Sequence, residues 1–176
     1  FTPDTNTLLG EVPEVKNFFV CCGLNSIGIG SGGGVGKVTA EWLINGHINE
    51  DIFSYDIKRF QKFHSELGFI KKRITETLGD LYGMHWPFKQ HKTSRNIKTL
   101  PYHENLKSFG ACFGVSGGYE RPMWFALDGE KAEYEYSYNY QNWYPSAEYE
   151  TNNTIKNVGL FDLTPFSKFE IKSDKA

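Results

Sequence analysis

The sequence has 176 residues, 39% hydrophobic and 16% aromatic, with 19 Lys plus Arg against 21 Asp plus Glu for a formal net charge of -2. Such a chain can fill a core and is neither disordered nor collagen-like, and its near-neutral charge gives no overall field for a polyanion, so no nucleic-acid partner is expected. No stretch approaches the roughly 20 apolar residues of a membrane span, and three cysteines, two of them adjacent at Cys21 and Cys22, make no disulfide framework, which points to a reducing compartment.

In chain order, Thr2-Pro3-Asp4 and Gly10-Glu11-Val12-Pro13 are turn-rich, and Asn17 to Cys22 is an aromatic and β-branched run that predicts a buried strand. Cys21 and Cys22 on that strand are expected to be buried and inert, since reactive thiols need an electropositive, partly exposed setting. Glycines at 23, 28, 30, 32, 33, 34 and 36 predict a loop. From Val38 apolar residues take over, and Val38 to Asn45 reads as a helix with Gly46 as its left-handed C′ residue.

Between about residues 47 and 118 the pattern is less regular. Ile70, Ile74, Leu78 and Leu81 recur at helical spacing, and Lys71, Lys72 and Arg73 among them read as a solvated basic face. Met84 to Pro101 has no periodicity and is expected to be an ordered connector, followed by a short helix around Tyr102 to Lys107. A third zone opens at Gly117-Gly118-Tyr119-Glu120-Arg121-Pro122. Tyr134, Tyr136, Tyr138 and Tyr140 alternate as on one strand face, yet Asn139, Gln141 and Asn142 suit a surface loop, and both readings stay open. A helix is expected near Glu148 to Val158, then a strand at Lys168 to Lys172. That last strand needs a partner the remaining residues cannot supply, and Phe1 is not an initiator Met, so the chain is expected to be a piece of a longer protein.

The glycine stretch is the main candidate for chemistry, because glycine reaches positive φ and lets a ligand approach the backbone, while a helix start favours electron-rich atoms. Gly28-Ile29-Gly30-Ser31-Gly32-Gly33 satisfies the dinucleotide fingerprint, with Asp51 or Asp56 near the place of a ribose-binding acid. However, Gly23 to Ile27 separates it from the strand, and no second parallel strand follows. Ser31 to Val38 misses the phosphate loop of nucleotide hydrolases: Ser31 stands for its first glycine, and Val38 for the hydroxyl that would hold magnesium. A flavin is the third class, since a glycine-lined turn before a helix stabilises negative charge on the reduced ring. The alternative is a loop that only lets a helix pack close to a sheet. His47, His64, His85, His91 and His103 are scattered without metal-site spacing, and no metal is expected. Glu120-Arg121 reads as a ligand clamp or as an ion pair fixing a turn.

Phe1-Thr2-Pro3-Asp4, Gly10-Glu11, Gly23-Leu24-Asn25-Ser26-Ile27-Gly28, Gly32-Gly33-Gly34, Glu41-Trp42 with Gly46, and Tyr55-Asp56-Ile57-Lys58-Arg59-Phe60 together resemble the end of the flavin domain of the sarcosine and dimethylglycine dehydrogenase family, nearest its sarcosine dehydrogenase branch. Tyr119-Glu120-Arg121-Pro122 with Trp124-Phe125, and Phe161-Asp162-Leu163-Thr164-Pro165-Phe166-Ser167-Lys168-Phe169, are similar to the start of that family's aminomethyltransferase-like half. The resemblance implies an α/β and α+β chain: residues 1–60 ending a flavin-dependent amine oxidase-type domain, 61–118 a central linker domain, and 119–176 beginning the folate-binding domain.

The same resemblance implies that the whole enzyme oxidises the N-methyl group of a small amino acid with FAD and passes the one-carbon unit to tetrahydrofolate. Electrons would go on to an electron-transfer flavoprotein or similar acceptor, in a mitochondrial matrix or bacterial cytoplasm. Gly23, Leu24, Asn25, Ser26, Ile27 and Gly28 would contact the isoalloxazine ring, and no catalytic base is assigned. The histidine that attaches FAD in family members, and most of the folate site, would lie outside this chain, leaving it inactive by itself. The family also holds a regulatory subunit of pyruvate dehydrogenase phosphatase, which is the rival reading. A folate-only transferase leaves the glycine loop unexplained.

Overall fold

The computed structural model describes residues 1–173. The chain divides into two compact units, residues 1–84 with 91–94 and residues 85–90 with those from Arg95 onward. Each mixes helices with a two-stranded antiparallel sheet.

In the first unit, β1 (Leu8–Glu11) pairs with β2 (Phe19–Cys22), from Leu8 opposite Cys22 to Glu11 opposite Phe19. β1 takes in the Gly10-Glu11 stretch expected as a turn, and the reversal comes later, closed by Val12 N–H to Phe18 C=O at 2.9 Å. Gly10 is a glycine because the Trp42 indole lies where its Cβ would be, 2.7 Å away. Trp42 also meets the Phe19 ring edge-on at 5.7 Å. Contrary to expectation, Cys21 and Cys22 are exposed, because β2 has only β1 beside it among the described residues.

Helix α1 runs Gly28–Asn45, so it starts at Gly28 rather than at Val38 and takes in most of the expected loop. Glycine lowers helix propensity by about 1 kcal/mol against alanine but does not forbid the conformation, and none of Gly28, Gly30, Gly32, Gly33, Gly34 and Gly36 has a positive φ. Gly46 ends the helix as expected, at φ +74 with its N–H on Trp42 C=O at 2.9 Å.

Two 3₁₀ turns, Ile57–Arg59 and Lys62–Ser65, lead into α2 (Leu67–Leu81). The expected helix is there, with a different buried face: Phe69, Arg73 and Thr77 are inside, and Ile70, Ile74 and Leu78 are half-buried. Arg73 therefore leaves the basic solvated face. Its guanidinium donates to Thr93 C=O at 2.6 Å and lies over the Phe69 ring, while Lys71 and Lys72 stay exposed. His64 sits among the rings of Phe60, Phe63 and Phe69, and burial pushes its imidazole below the usual value.

The second unit has α3 (His103–Ser108), β3 (Ala111–Ser116), β4 (Tyr119–Phe125) and α4 (Tyr144–Lys156). Ser116 faces Tyr119 across a two-residue turn in which Gly117 and Gly118 have φ +58 and +80, as a tight hairpin turn of this hand requires. Residues 118 and 119 thus lie within one hairpin. Pro122 is tolerated in β4 because it falls beside the irregularity between Cys112 and Phe113. The tyrosines at 134–140 form no strand: Tyr134 and Tyr136 stack at 5.6 Å, and Tyr136 hydroxyl accepts from Gln90 N–H at 2.8 Å. Residues 168–172 are not a strand either. Nothing among the described residues pairs with them, and Phe169 and Ile171 are exposed.

Glu120 pairs with Arg95 rather than with its neighbour Arg121. Its side chain is 2% exposed, takes Arg95 Nε at 2.7 Å, and accepts Asn96 N–H at 2.8 Å, while Glu120 N–H donates to Lys98 C=O. Burial alone would raise the Glu120 carboxyl, but the Arg95 guanidinium and the Asn96 N–H outweigh it and hold the value below 4.5. A carboxylate depressed in the fold adds stability above its unfolded value, and that stability is lost as pH falls through the folded one. Glu120→Gln, which strands the Arg95 charge, is expected to destabilise by about 3 kcal/mol at pH 7, and by progressively less as the pH falls through the folded Glu120 value. Urea unfolding at pH 7 and over a series of lower pH values checks this.

Candidate functional site

The predicted flavin-contact residues, Gly23 to Gly28, form the turn between β2 and α1. Three positions carry the reversal: Gly23, Asn25 and Ser26 have φ of +67, +44 and +70. Asn25 is 6% exposed, and its side chain explains why the turn holds. Its Oδ1 accepts Thr2 N–H at 2.9 Å, and its Nδ2 donates to Thr2 Oγ1 at 3.0 Å and to Gly23 C=O at 2.5 Å. Asparagine is among the few residues with a side chain that tolerate the left-handed region, and here its amide replaces the hydrogen bonds the backbone gives up.

Gly23 has a separate reason to be glycine: a Cβ there would lie 2.6 Å from the Thr2 methyl. Gly28 does not share it. It is the first residue of α1 and has no positive φ, so its backbone does not require glycine, although a Cβ there would meet Leu24 Cδ1 at a tight 3.2 Å. Leu24 C=O accepts Ile27 N–H at 2.9 Å, and no side chain caps the helix. The N–H groups of Gly28, Ile29 and Gly30 belong to the first turn, where helix geometry supplies no acceptor.

The half-buried stripe of α1 runs through Gly28, Ser31, Val35, Val38, Thr39 and Trp42, the 3.6-residue period of a face laid on the hairpin. The other glycines lie off it. A Cβ at Gly30, Gly32, Gly33, Gly34 or Gly36 would meet no atom within 4 Å. Close packing of α1 on β1 and β2 therefore does not account for five of the six glycines. The start of α1 thus combines first-turn N–H donors that no side chain caps with exposed glycines, flanked by the exposed side chains of Ile27 and Ile29.

The histidines do not gather. One trio unseen in the sequence combines Glu76, Asp80 and His91, whose ligand-type atoms lie within 4.8 Å of one another. The i, i+4 spacing on α2 was the available signal; the approach of His91 from the connector was not visible. Glu76 is already engaged: Oε1 accepts Lys92 N–H at 2.6 Å, and Oε2 accepts Thr93 N–H at 2.8 Å and the Thr93 hydroxyl. Burial raises its carboxyl and these donors more than reverse the shift. The trio anchors the 91–94 segment.

Residues 45–99 match the FAD dependent oxidoreductase central domain, and residues 102–176 the GCVT N-terminal domain. The chain is 42% identical over all its 176 residues to 21% of 4-methylaminobutanoate oxidase (formaldehyde-forming) of Paenarthrobacter nicotinovorans. Over 94% of its length it is 34% identical to 18% of the mitochondrial sarcosine dehydrogenase of Mus musculus. Over 98% it is 33% identical to 20% of the mitochondrial pyruvate dehydrogenase phosphatase regulatory subunit of the same organism. It spans about a fifth of the length of these curated relatives.

Two glycine substitutions should move stability in opposite directions. Gly23→Ala, forced into the left-handed region against the Thr2 methyl, is expected to destabilise by about 2 kcal/mol. Gly30→Ala, with open space around its Cβ, is expected to stabilise the cofactor-free protein by about 1 kcal/mol. Thermal unfolding of both variants without cofactor is the measurement.

Proposed function

From the premise that this chain belongs to the sarcosine and dimethylglycine dehydrogenase family, joining an FAD dependent oxidoreductase central domain to a GCVT N-terminal domain, we propose that it is the part of an FAD-dependent N-methyl amino acid dehydrogenase that seats one edge of the flavin. One observation carries the reading. The start of α1 combines N–H donors that no side chain caps with glycines at 30, 32, 33, 34 and 36 over which no other described residue packs. The fit is chemical as well as steric, since flavin carbonyl oxygens are acceptors that gain negative charge on reduction, which suits a helix N-terminus.

FAD, when bound, would supply a two-electron acceptor for the hydride leaving the substrate N-methyl carbon. The part of this chain is to orient and to stabilise. Asn25 fixes the turn, the turn aims the first-turn N–H groups of α1, and these donors are already in place before negative charge arrives. Gly28 and Gly30 keep side chains out of the approach. The substrate is a small N-methyl amino acid, sarcosine and dimethylglycine being the leading choices, and electrons pass to an electron-transfer flavoprotein or similar acceptor.

The GCVT N-terminal match supports transfer of the one-carbon unit to tetrahydrofolate in the second half. The name of one relative, a formaldehyde-forming oxidase, marks the alternative fate of that carbon. Some relatives are named as mitochondrial and one comes from a bacterium, which fits a matrix or bacterial cytoplasmic location; among the described residues no helix is long and apolar enough to cross a membrane. The second reading, a regulatory relative without catalysis, draws on the 33% identity to the phosphatase regulatory subunit.

Flavin content of the full-length protein is the test. The wild type is expected to be yellow and to keep its flavin on denaturation, through a residue outside this chain. Gly30→Val is expected to cut bound flavin at least tenfold while the cofactor-free melting temperature does not fall. Undiminished flavin in that variant would remove the ring from this surface. A wild type without flavin would favour the regulatory reading.

A further inference from the structure

Arg59 lies far along the chain from the glycine turn, yet its side chain is only 8% exposed and makes five hydrogen bonds. Nε donates to Asp4 Oδ2 at 2.7 Å, and one terminal nitrogen to Asp4 Oδ1 at 3.0 Å and Asn6 C=O at 3.1 Å. The other donates to Tyr55 C=O at 2.8 Å and Asp56 C=O at 3.1 Å. The planar fork thus clamps the Asp4–Asn6 loop to the 3₁₀ turn, a geometry that the ammonium of lysine cannot reproduce.

The chain of bonds continues toward the site. Asn6 C=O, held by Arg59, also accepts the Thr2 hydroxyl at 2.9 Å, and that same Thr2 oxygen accepts from Asn25 Nδ2. Thr2 N–H donates to Asn25 Oδ1, and Thr77 hydroxyl on α2 reaches Thr2 C=O at 3.5 Å. Thr2 is 3% exposed and Thr77 1%, so water competes little for these bonds. Both Arg59 and Thr77 fall in the segment that matches the oxidoreductase central domain, whereas the turn precedes it.

We infer that Arg59 is a positioning residue for the cofactor turn: by fixing Asp4 and Asn6 it sets Thr2, and Thr2 sets the Asn25 amide that holds Gly23, Asn25 and Ser26 in the left-handed region. The central-domain segment thereby determines where the first N–H groups of α1 point. The step from turn to flavin rests on the function proposed above; the step from Arg59 to the turn does not.

Amide hydrogen exchange on the full-length protein separates the two, read at Ile27 and Ser31, whose N–H groups are bonded to Leu24 C=O and Ile27 C=O. Arg59→Gln is expected to speed exchange at these two amides at least tenfold while α4 keeps its protection, and to lower the flavin incorporated about tenfold. Arg59→Lys should give a smaller change of the same pattern. Thr2→Val, an isosteric change that removes only the relaying hydroxyl, should speed exchange at the same amides severalfold, and it keeps the test decisive if Arg59→Gln does not fold. Unchanged exchange at Ile27 and Ser31 in folded Thr2→Val, or in folded Arg59→Gln, would overturn the inference. Faster exchange with undiminished flavin incorporation would uphold the positioning of the turn and overturn its assignment to the flavin.

Discussion

Everything about the candidate site depends on the side chain of Asn25 standing in for lost backbone hydrogen bonds. A turn with left-handed residues at Gly23, Asn25 and Ser26 is locally unfavourable, and an open loop would be free to leave it. The carboxamide presents both donor and acceptor to one residue, Thr2, and a second donor proton to Gly23 C=O, so three bonds close on a group that is almost fully buried. Because Thr2 is held in turn from the Arg59 side and from α2, the turn is braced by elements far apart in sequence.

Helix α1 shows the other side of that rigidity. A helix with six glycines among 18 residues has little stability of its own, and none of its residues is fully buried. It is anchored by its ends: the Asn25 turn fixes its start, and Trp42, against Gly10 and Phe19, fixes the last turns on the hairpin. Between those anchors Gly30, Gly32, Gly33, Gly34 and Gly36 stay bare. Such a surface suits a flat partner better than a cluster of side chains, since every Cβ added there stands between the partner and the backbone.

The second unit is organised around charge rather than glycine. Glu120 is buried on a hairpin strand and is tolerable there only because Arg95 and Asn96 come to it from the preceding connector. Residues 95–98 therefore belong physically with the hairpin, although the oxidoreductase central domain match extends to residue 99. An extended connector held by side-chain bonds has no periodicity for a sequence pattern to reveal.

The sequence by itself determined what depends on local chemistry. The amphipathic period of α2, the short α3, Gly46 as a C′ residue, the strand before Gly23, and the ordered family-like segments were all legible, because each is set by residues within a few positions. Only the tertiary structure decided what depends on distant partners. It made Gly28 to Gly36 helical against their propensity, turned Arg73 inward toward Thr93, left Cys21 and Cys22 exposed, and paired Glu120 with Arg95 instead of its neighbour. In the site, Gly23 to Gly28 were visible as a glycine-rich turn, but Thr2 and Arg59, 23 and 34 positions from Asn25, were not. Their roles are hydrogen bonds closed through space, and one-dimensional spacing carries no signal of which donor a folded chain brings to which acceptor.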